Sequence, residues 1–121
     1  MNYLFVTGSR NFIGPVPPEV WELIRRADAV VHGAAEGFDS VCGQIAEDLG
    51  TYVLPVPAVG GVSPLRRNTT LAEMAGALRT LGHHVRCVAC VVHPHPCNGT
   101  RDTVRKMRSR GVVTRLVEIT L

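Results

Sequence analysis

The stretch from Val85 to Val92 is apolar at every position except Arg86, and no other feature constrains the fold as tightly. It is far too short to cross a membrane as a helix, which takes about 20 apolar residues. It is also too continuous for a strand with one face in water, which would alternate apolar and polar side chains. What remains is a central strand covered on both faces, the pattern of a parallel sheet with helices packed on either side.

The rest of the chain supplies those helices and the neighbouring strands. Tyr3 to Val6 reads as a first strand, stopped by Gly8. Pro18 suits a first helical turn, and Val20, Trp21 and Ile24 then recur at helical spacing as far as Ala27. Ala29 to His32 is a second strand. Asp39 stands where an N-cap belongs, ahead of Val41, Cys42, Ile45, Ala46 and Leu49 on one helical face, and Gly50 closes that helix. A third strand is expected from Thr51 to Val56, a loop from Ala58 to Pro64, and a helix from Leu65 to Leu81 with Leu71, Met74, Ala75 and Leu78 inward. After the central strand, Pro94 and Pro96 interrupt the chain. A last helix is expected from Thr103 to Arg110 and a last strand from Val112 to Ile119.

Strands alternating with helices make an α/β domain. Right-handed crossovers favour a Rossmann-like three-layer sandwich, with a five-stranded, mostly parallel sheet in the order 3-2-1-4-5. At 121 residues the chain is read as one domain, spanning positions 1–121. A hydrophobic content of 45% against 19% charged residues excludes a disordered chain. One Trp, two Tyr and three Phe are too few for the stacking platforms of a single-strand nucleic-acid binder. The net charge of +3 suits an anionic small ligand without demanding nucleic acid. The N-terminus lacks a basic n-region and reaches Gly8 too soon for a signal peptide, so a cytoplasmic location with reduced cysteines is expected.

Three loops carry glycines at the ends of apolar runs. They are Thr7-Gly8-Ser9-Arg10, then His32-Gly33-Ala34-Ala35-Glu36-Gly37-Phe38-Asp39, then Asn98-Gly99-Thr100-Arg101-Asp102. Strand, glycine turn and helix start is the order that offers free N–H groups to a phosphate. With strand order 3-2-1-4-5, the loops at Gly8 and Gly99 flank the topological switch point, where open α/β sheets bind ligands, and the loop at Gly33 lies beside them. Gly8 and Gly99 would let the backbone approach a ligand. Ser9 and Thr100 add hydroxyl donors, while Arg10, Arg67 and Arg101 add cations suited to phosphate. Glu36, Asp39 and Asn68 would orient a sugar or base. Gly33 and Gly37 are expected at the ligand as well, with a turn of positive φ the plainer reading of Gly37.

The ordered set Gly8-Ser9-Arg10, His32 to Asp39, Arg67-Asn68 and Gly99-Thr100 resembles the SLOG superfamily, most closely its YspA-like branch. That branch is related to the LOG phosphoribohydrolases and the DprA/Smf DNA-processing proteins. The resemblance runs over essentially the whole chain. It implies a Rossmann-like fold that binds a nucleotide-derived ligand, in many members as a dimer or larger homo-oligomer.

The resemblance also frames the question of catalysis. LOG enzymes carry Pro-Gly-Gly-x-Gly-Thr-x-x-Glu, whose glutamate assists cleavage of an N-glycosidic bond. The matching stretch here is Pro96-Cys97-Asn98-Gly99-Thr100-Arg101-Asp102-Thr103, with Thr103 at the glutamate position. Asp102 and Glu36 are the remaining candidates for a catalytic carboxylate. The expectation is therefore binding of a nucleoside phosphate or ADP-ribose-like molecule for sensing or sequestration. An N-glycosidic hydrolase acting on nucleoside 5′-monophosphates is the first alternative, and DprA-like binding of single-stranded DNA the second.

Cys87-x-x-Cys90, with Cys97, His93 and His95 nearby, superficially has metal-site composition. Residues three apart on a strand face opposite ways, so the first two read as buried, inert thiols. No metal and no cofactor is called for. Arg101, Arg105 and Arg108 form a helix face that reads as solvated rather than as a nucleic-acid surface. The partners expected are a nucleotide-like small molecule and further copies of the chain, with neither a membrane nor nucleic acid.

Overall fold

The structure is a computed structural model that describes residues 1–58, 60 and 63–121. Its elements are β1 (Asn2–Gly8), α1 (Pro18–Arg26), β2 (Ala29–His32), α2 (Phe38–Asp48), β3 (Tyr52–Pro55), α3 (Pro64–Thr80), β4 (His84–His93), α4 (Asn98–Ser109) and β5 (Val113–Thr120). The five strands form one sheet in the order β3-β2-β1-β4-β5. Every pairing is parallel, so the sheet expected to be mostly parallel is wholly so. Of the loop expected over 58–64, positions 59, 61 and 62 lie outside the described residues.

Strand alternation divides the core into two layers. Leu4, Val6, Val30, Val88, Cys90 and Val92 face Val20 and Ile24 of α1 and Phe38, Cys42 and Ala46 of α2. Phe5, Val31, Val85 and Cys87 face Leu71, Ala72 and Ala75 of α3 and Met107 of α4. Cys87 and Cys90 thus belong to opposite layers, as strand geometry requires. The continuous apolar run is the second-to-last strand of the sheet order, hydrogen-bonded to β1 on one side and β5 on the other.

Three local expectations are corrected. α4 begins at Asn98 rather than Thr103, because the chain turns into helix directly from Cys97, which holds a left-handed φ of 52°. Trp21 stays 37% exposed although it follows Val20 on α1; only Val20 and Ile24 of that helix are buried. Asp39 is not the cap of α2. Gly37 occupies that position, and Asp39 lies inside the first turn with its carboxylate turned to another loop. Among the described residues no helix is long and apolar enough to cross a membrane.

Candidate functional site

A cleft of about 340 Å³ opens at the carboxyl ends of β1 and β4, where the strand order reverses. That is a modest but sufficient volume for a small ligand. Most of its walls come from the end of β1 with loop 1 after it (Thr7 to Asn11), the start of α3 (Pro64, Leu65, Arg67, Asn68) and the entry to α4 (His95 to Cys97, Gly99, Thr100). Ala35 of loop 2, after β2, and Asp39 in the first turn of α2 complete it. The sequence-derived residues Gly8, Ser9, Arg10, Asp39, Arg67, Asn68, Gly99 and Thr100 therefore share one cleft.

The α4 end presents backbone N–H groups with no side-chain cap. A helix leaves its first N–H groups without intrahelical acceptors, and α4 has no side-chain cap to take them. The first bond back to the preceding chain is from Arg101 N–H to the Cys97 carbonyl, 3.0 Å. Gly99 sits within that first turn, and a Cβ there would meet nothing nearer than Asn68 Nδ2 at 4.0 Å. No neighbour in the fold asks for glycine at this position. The helix dipole adds partial positive charge at the same point, and Arg10 stands exposed on the opposite rim.

Gly8, Gly33 and Gly37 each have a packing reason to be glycine, and of the three expected at the ligand only Gly8 lines the cleft. A Cβ on Gly8 would overlap the Phe38 ring, so this glycine lets α2 close onto β1. Gly37 has φ 82°, and a Cβ there would overlap the Ser9 carbonyl oxygen. That carbonyl also accepts from Phe38 N–H at 3.2 Å, tying loop 2 to loop 1. At Gly33 a Cβ would crowd the Arg67 guanidinium at 3.0 Å. Both backbone groups of Gly33 are engaged: its N–H donates to Asp39 Oδ2 at 2.9 Å, and its carbonyl accepts from Arg67 Nη1. Neither Gly33 nor Gly37 lines the cleft.

Arg67 continues this chain of contacts. Its Nε donates to Asn68 Oδ1 at 3.3 Å, and Asn68 Nδ2 donates to the Gly99 carbonyl at 3.2 Å. One network thus runs from loop 2 through α3 to the first turn of α4. Arg67 is both a cleft cation and the link that holds two walls in register. Asn68, 3% exposed, is committed to that network rather than free to read a base edge.

The carboxylate candidates fall outside the cleft. Glu36 is exposed and is not among the lining residues. Asp102 bonds to Arg105 and to Lys106 Nζ at 2.8 Å. Burial alone would raise its carboxyl, but those cations and Asn68 outweigh it and hold the group below the ordinary carboxylate range. Thr103 is 0% exposed, with its Oγ1 donating to the Gly99 carbonyl at 3.1 Å, so the position matched to a catalytic glutamate faces the protein interior. Arg101 lies on the outer face of α4, where its Nε donates to the Pro96 carbonyl at 3.2 Å. That placement removes it from the cleft.

Asp39 is the acidic side chain of the lining. Burial pushes its carboxyl up to about 6, against the opposing pull of the Gly33, Ala35 and Gly8 N–H groups and Arg67. Thr7, Asn11, Ala35, Pro64, Leu65, Pro96 and Cys97 also line the cleft, none of them a ligand contact expected from the sequence. His95 lines it as well, whereas His93 turns outward to Glu118 at 3.1 Å. Burial drives the Cys87 and Cys90 thiols up to about 12 and Cys42 higher still. Among the described residues no group of three or more His, Cys, Asp or Glu gathers as a metal site would. Comparison with protein-family models, curated proteins and solved structures returns no match to this chain.

Proposed function

We propose that the chain binds a nucleotide-derived small molecule, a nucleoside phosphate or an ADP-ribose-like compound, in the switch-point cleft. The role that follows is sensing or sequestration of that molecule rather than its turnover. One observation carries the reading: the uncapped first turn of α4 opens on the cleft through Gly99, which no packing neighbour requires. A phosphate seated there would accept from backbone N–H groups and meet Arg10 and Arg67 from the other walls. The ordered resemblance to the SLOG superfamily supports the same ligand class, and membership in its YspA-like branch is part of the proposal.

The hydrolase reading has less support, since Asp102 is held by two cations and Thr103 is enclosed. A DNA-binding role has less still, because Arg101, Arg105 and Arg108 are each engaged by Pro96, Asp102 and Thr114. Self-association belongs to the proposal too, motivated by Tyr52 and Leu54 exposed along the edge strand β3; size-exclusion chromatography with light scattering tests it.

Thermal-shift measurements with AMP, ADP-ribose, NAD and cyclic nucleotides test the binding function. A ligand at about one hundred times its Kd adds roughly 2.7 kcal/mol, a rise in Tm of roughly 10 °C for a domain of this size. Absence of any shift at millimolar ligand would sink the reading.

A further inference from the structure

The two edges of the sheet are not alike. β3 offers four residues and closes on Pro55, and both its brevity and its proline blunt an edge against pairing. β5 runs for eight residues, Val113 to Thr120, without a proline. Leu121 N–H donates to the His93 carbonyl of β4 at 3.1 Å, and backbone direction alternates along a strand. Val113, Arg115, Val117 and Ile119 therefore bond toward β4, whereas Thr114, Leu116, Glu118 and Thr120 turn their N–H and carbonyl groups to the free edge. Arg108 Nη2 reaches the Thr114 carbonyl from that open side, at 3.4 Å.

The side chains along this edge fit a second copy of themselves. Two identical edges that pair antiparallel are related by a two-fold axis normal to the sheet, so each face continues into its own counterpart. An axis at Arg115 or Glu118 sets like charges directly opposite. An axis at Leu116 sets Arg115 diagonal to its own copy and leaves Leu121 outside the pairing. An axis at Val117 does neither. The outward backbone groups of Thr114 and Leu116 then meet those of Thr120 and Glu118 of the second copy. Val113, 68% exposed, lies opposite Leu121 of the second copy, 65% exposed, and the contact occurs twice. Glu118 falls opposite Leu116, at a concavity of about 340 Å³ that Arg101, Val104, Arg105 and Arg108 line together with that leucine. The two Glu118 carboxylates are diagonal to each other across the axis, and the arginines of both copies offset their repulsion.

We infer that two copies of the chain join through β5, antiparallel about Val117, into one continuous sheet in which each Glu118 seats beside the α4 arginines of the other copy. The inference rests on the self-association proposed above and assigns it to β5, with the exposed Tyr52 and Leu54 of β3 as the rival surface. It is independent of the ligand.

Cysteine cross-linking of the full chain tests the register. Within one chain, positions 113 and 121 are separated by eight residues of extended strand, roughly 26 Å, beyond the reach of any disulfide. Across the axis they are direct neighbours, close enough to join. Under mild oxidation with copper phenanthroline, Val113→Cys combined with Leu121→Cys is expected to run as a disulfide-linked dimer on a non-reducing gel. Each single variant gives the background from native Cys97. Light scattering after size-exclusion chromatography, from micromolar to millimolar protein, tests the contacts, with a mass near twice 13.1 kDa expected. Glu118→Arg places a cation among the arginines and raises the dimer Kd at least about tenfold. Thr120→Pro removes an N–H of the free edge and none of the ladder to β4, and it acts in the same direction. Tyr52→Lys leaves the dimer unchanged. Loss of the dimer in Tyr52→Lys but in neither β5 variant overturns the inference and leaves self-association standing. So does a double-cysteine variant that cross-links no more than the single ones. A monomer at every concentration removes both. Both cysteine positions are exposed in the folded chain, so their result holds even where Thr120→Pro does not fold.

Discussion

At the scale of single residues, Asp39 gives the protein a pH dependence of defined sign. Burial raises its carboxyl from 3.8 to about 6, so the folded state holds the proton more tightly than the unfolded chain does. The corresponding stability is fully present below pH 3.8 and is lost as the pH rises through 6. The shift corresponds to roughly 3 kcal/mol. Asp39→Asn abolishes this titration. The stability difference between variant and wild type in urea denaturation therefore moves in favour of the variant by about that amount between pH 3.5 and pH 7.5. A pH-independent difference would show that Asp39 ionises normally in the fold. The groups around it are Arg67 of α3, Cys42 of α2 and the N–H groups of Gly8, Gly33 and Ala35. A pair of glycine substitutions separates fold from site at the same scale. Gly37→Ala places a Cβ on the Ser9 carbonyl at a φ that side chains avoid, and it costs about 2–4 kcal/mol in urea denaturation. Gly99→Ala meets no obstacle in a helical turn and is expected to be neutral or stabilising by up to about 1 kcal/mol in urea, while on the proposed nucleotide reading its methyl group reduces the thermal shift given by AMP or ADP-ribose. All four glycine loop positions look alike in the sequence; only Gly99 lacks a packing partner. The same blindness covers Gly43, a mid-helix glycine whose Cβ would meet the buried His32 ring at 2.9 Å.

At the scale of elements, the N-terminus of α4 decides which side chains meet the cleft. Because the helix starts at Asn98, Thr100 falls in its first turn and Thr103 one turn later, against the core. Thr103→Glu would drive a carboxylate into a fully enclosed site and displace the bond to the Gly99 carbonyl. The variant is expected to lose about 3 kcal/mol or more of stability in urea and to release no free base from nucleoside monophosphates. Base release by a folded Thr103→Glu protein would show instead that the position addresses the cleft. The spacing of apolar residues was sufficient to find all nine elements. It missed the start of α4 because Asn98 to Asp102 contains no apolar side chain from which a helical period is read. It misassigned the α2 cap for a different reason. Asp39 has the right side chain for capping, but Gly33 N–H from the preceding loop competes for it and wins.

At the scale of the whole molecule, the two-layer core makes its thiols reporters of global unfolding. Cys42 and Cys90 lie in one layer and Cys87 in the other, each at most 1% exposed, while Cys97 is half-buried at the cleft. A disulfide reagent is expected to label Cys97 rapidly in the native protein. The other three react only at the rate of unfolding and together in denaturant. Fast native labelling of two or more thiols would mean that one layer opens without the other. Sequence alone determined the alternation of strands and helices, the covered central strand and the strand order. Those follow from periodicities within one segment and from the handedness of crossovers between successive ones. The tertiary structure alone decided that Gly8, Gly33 and Gly37 serve packing, that Arg67 and Asn68 bind two walls together, and that Asp39 keeps an oxygen unmatched. Each of these depends on an atom from a different element lying opposite, and the distance across that gap is set only when the layers close.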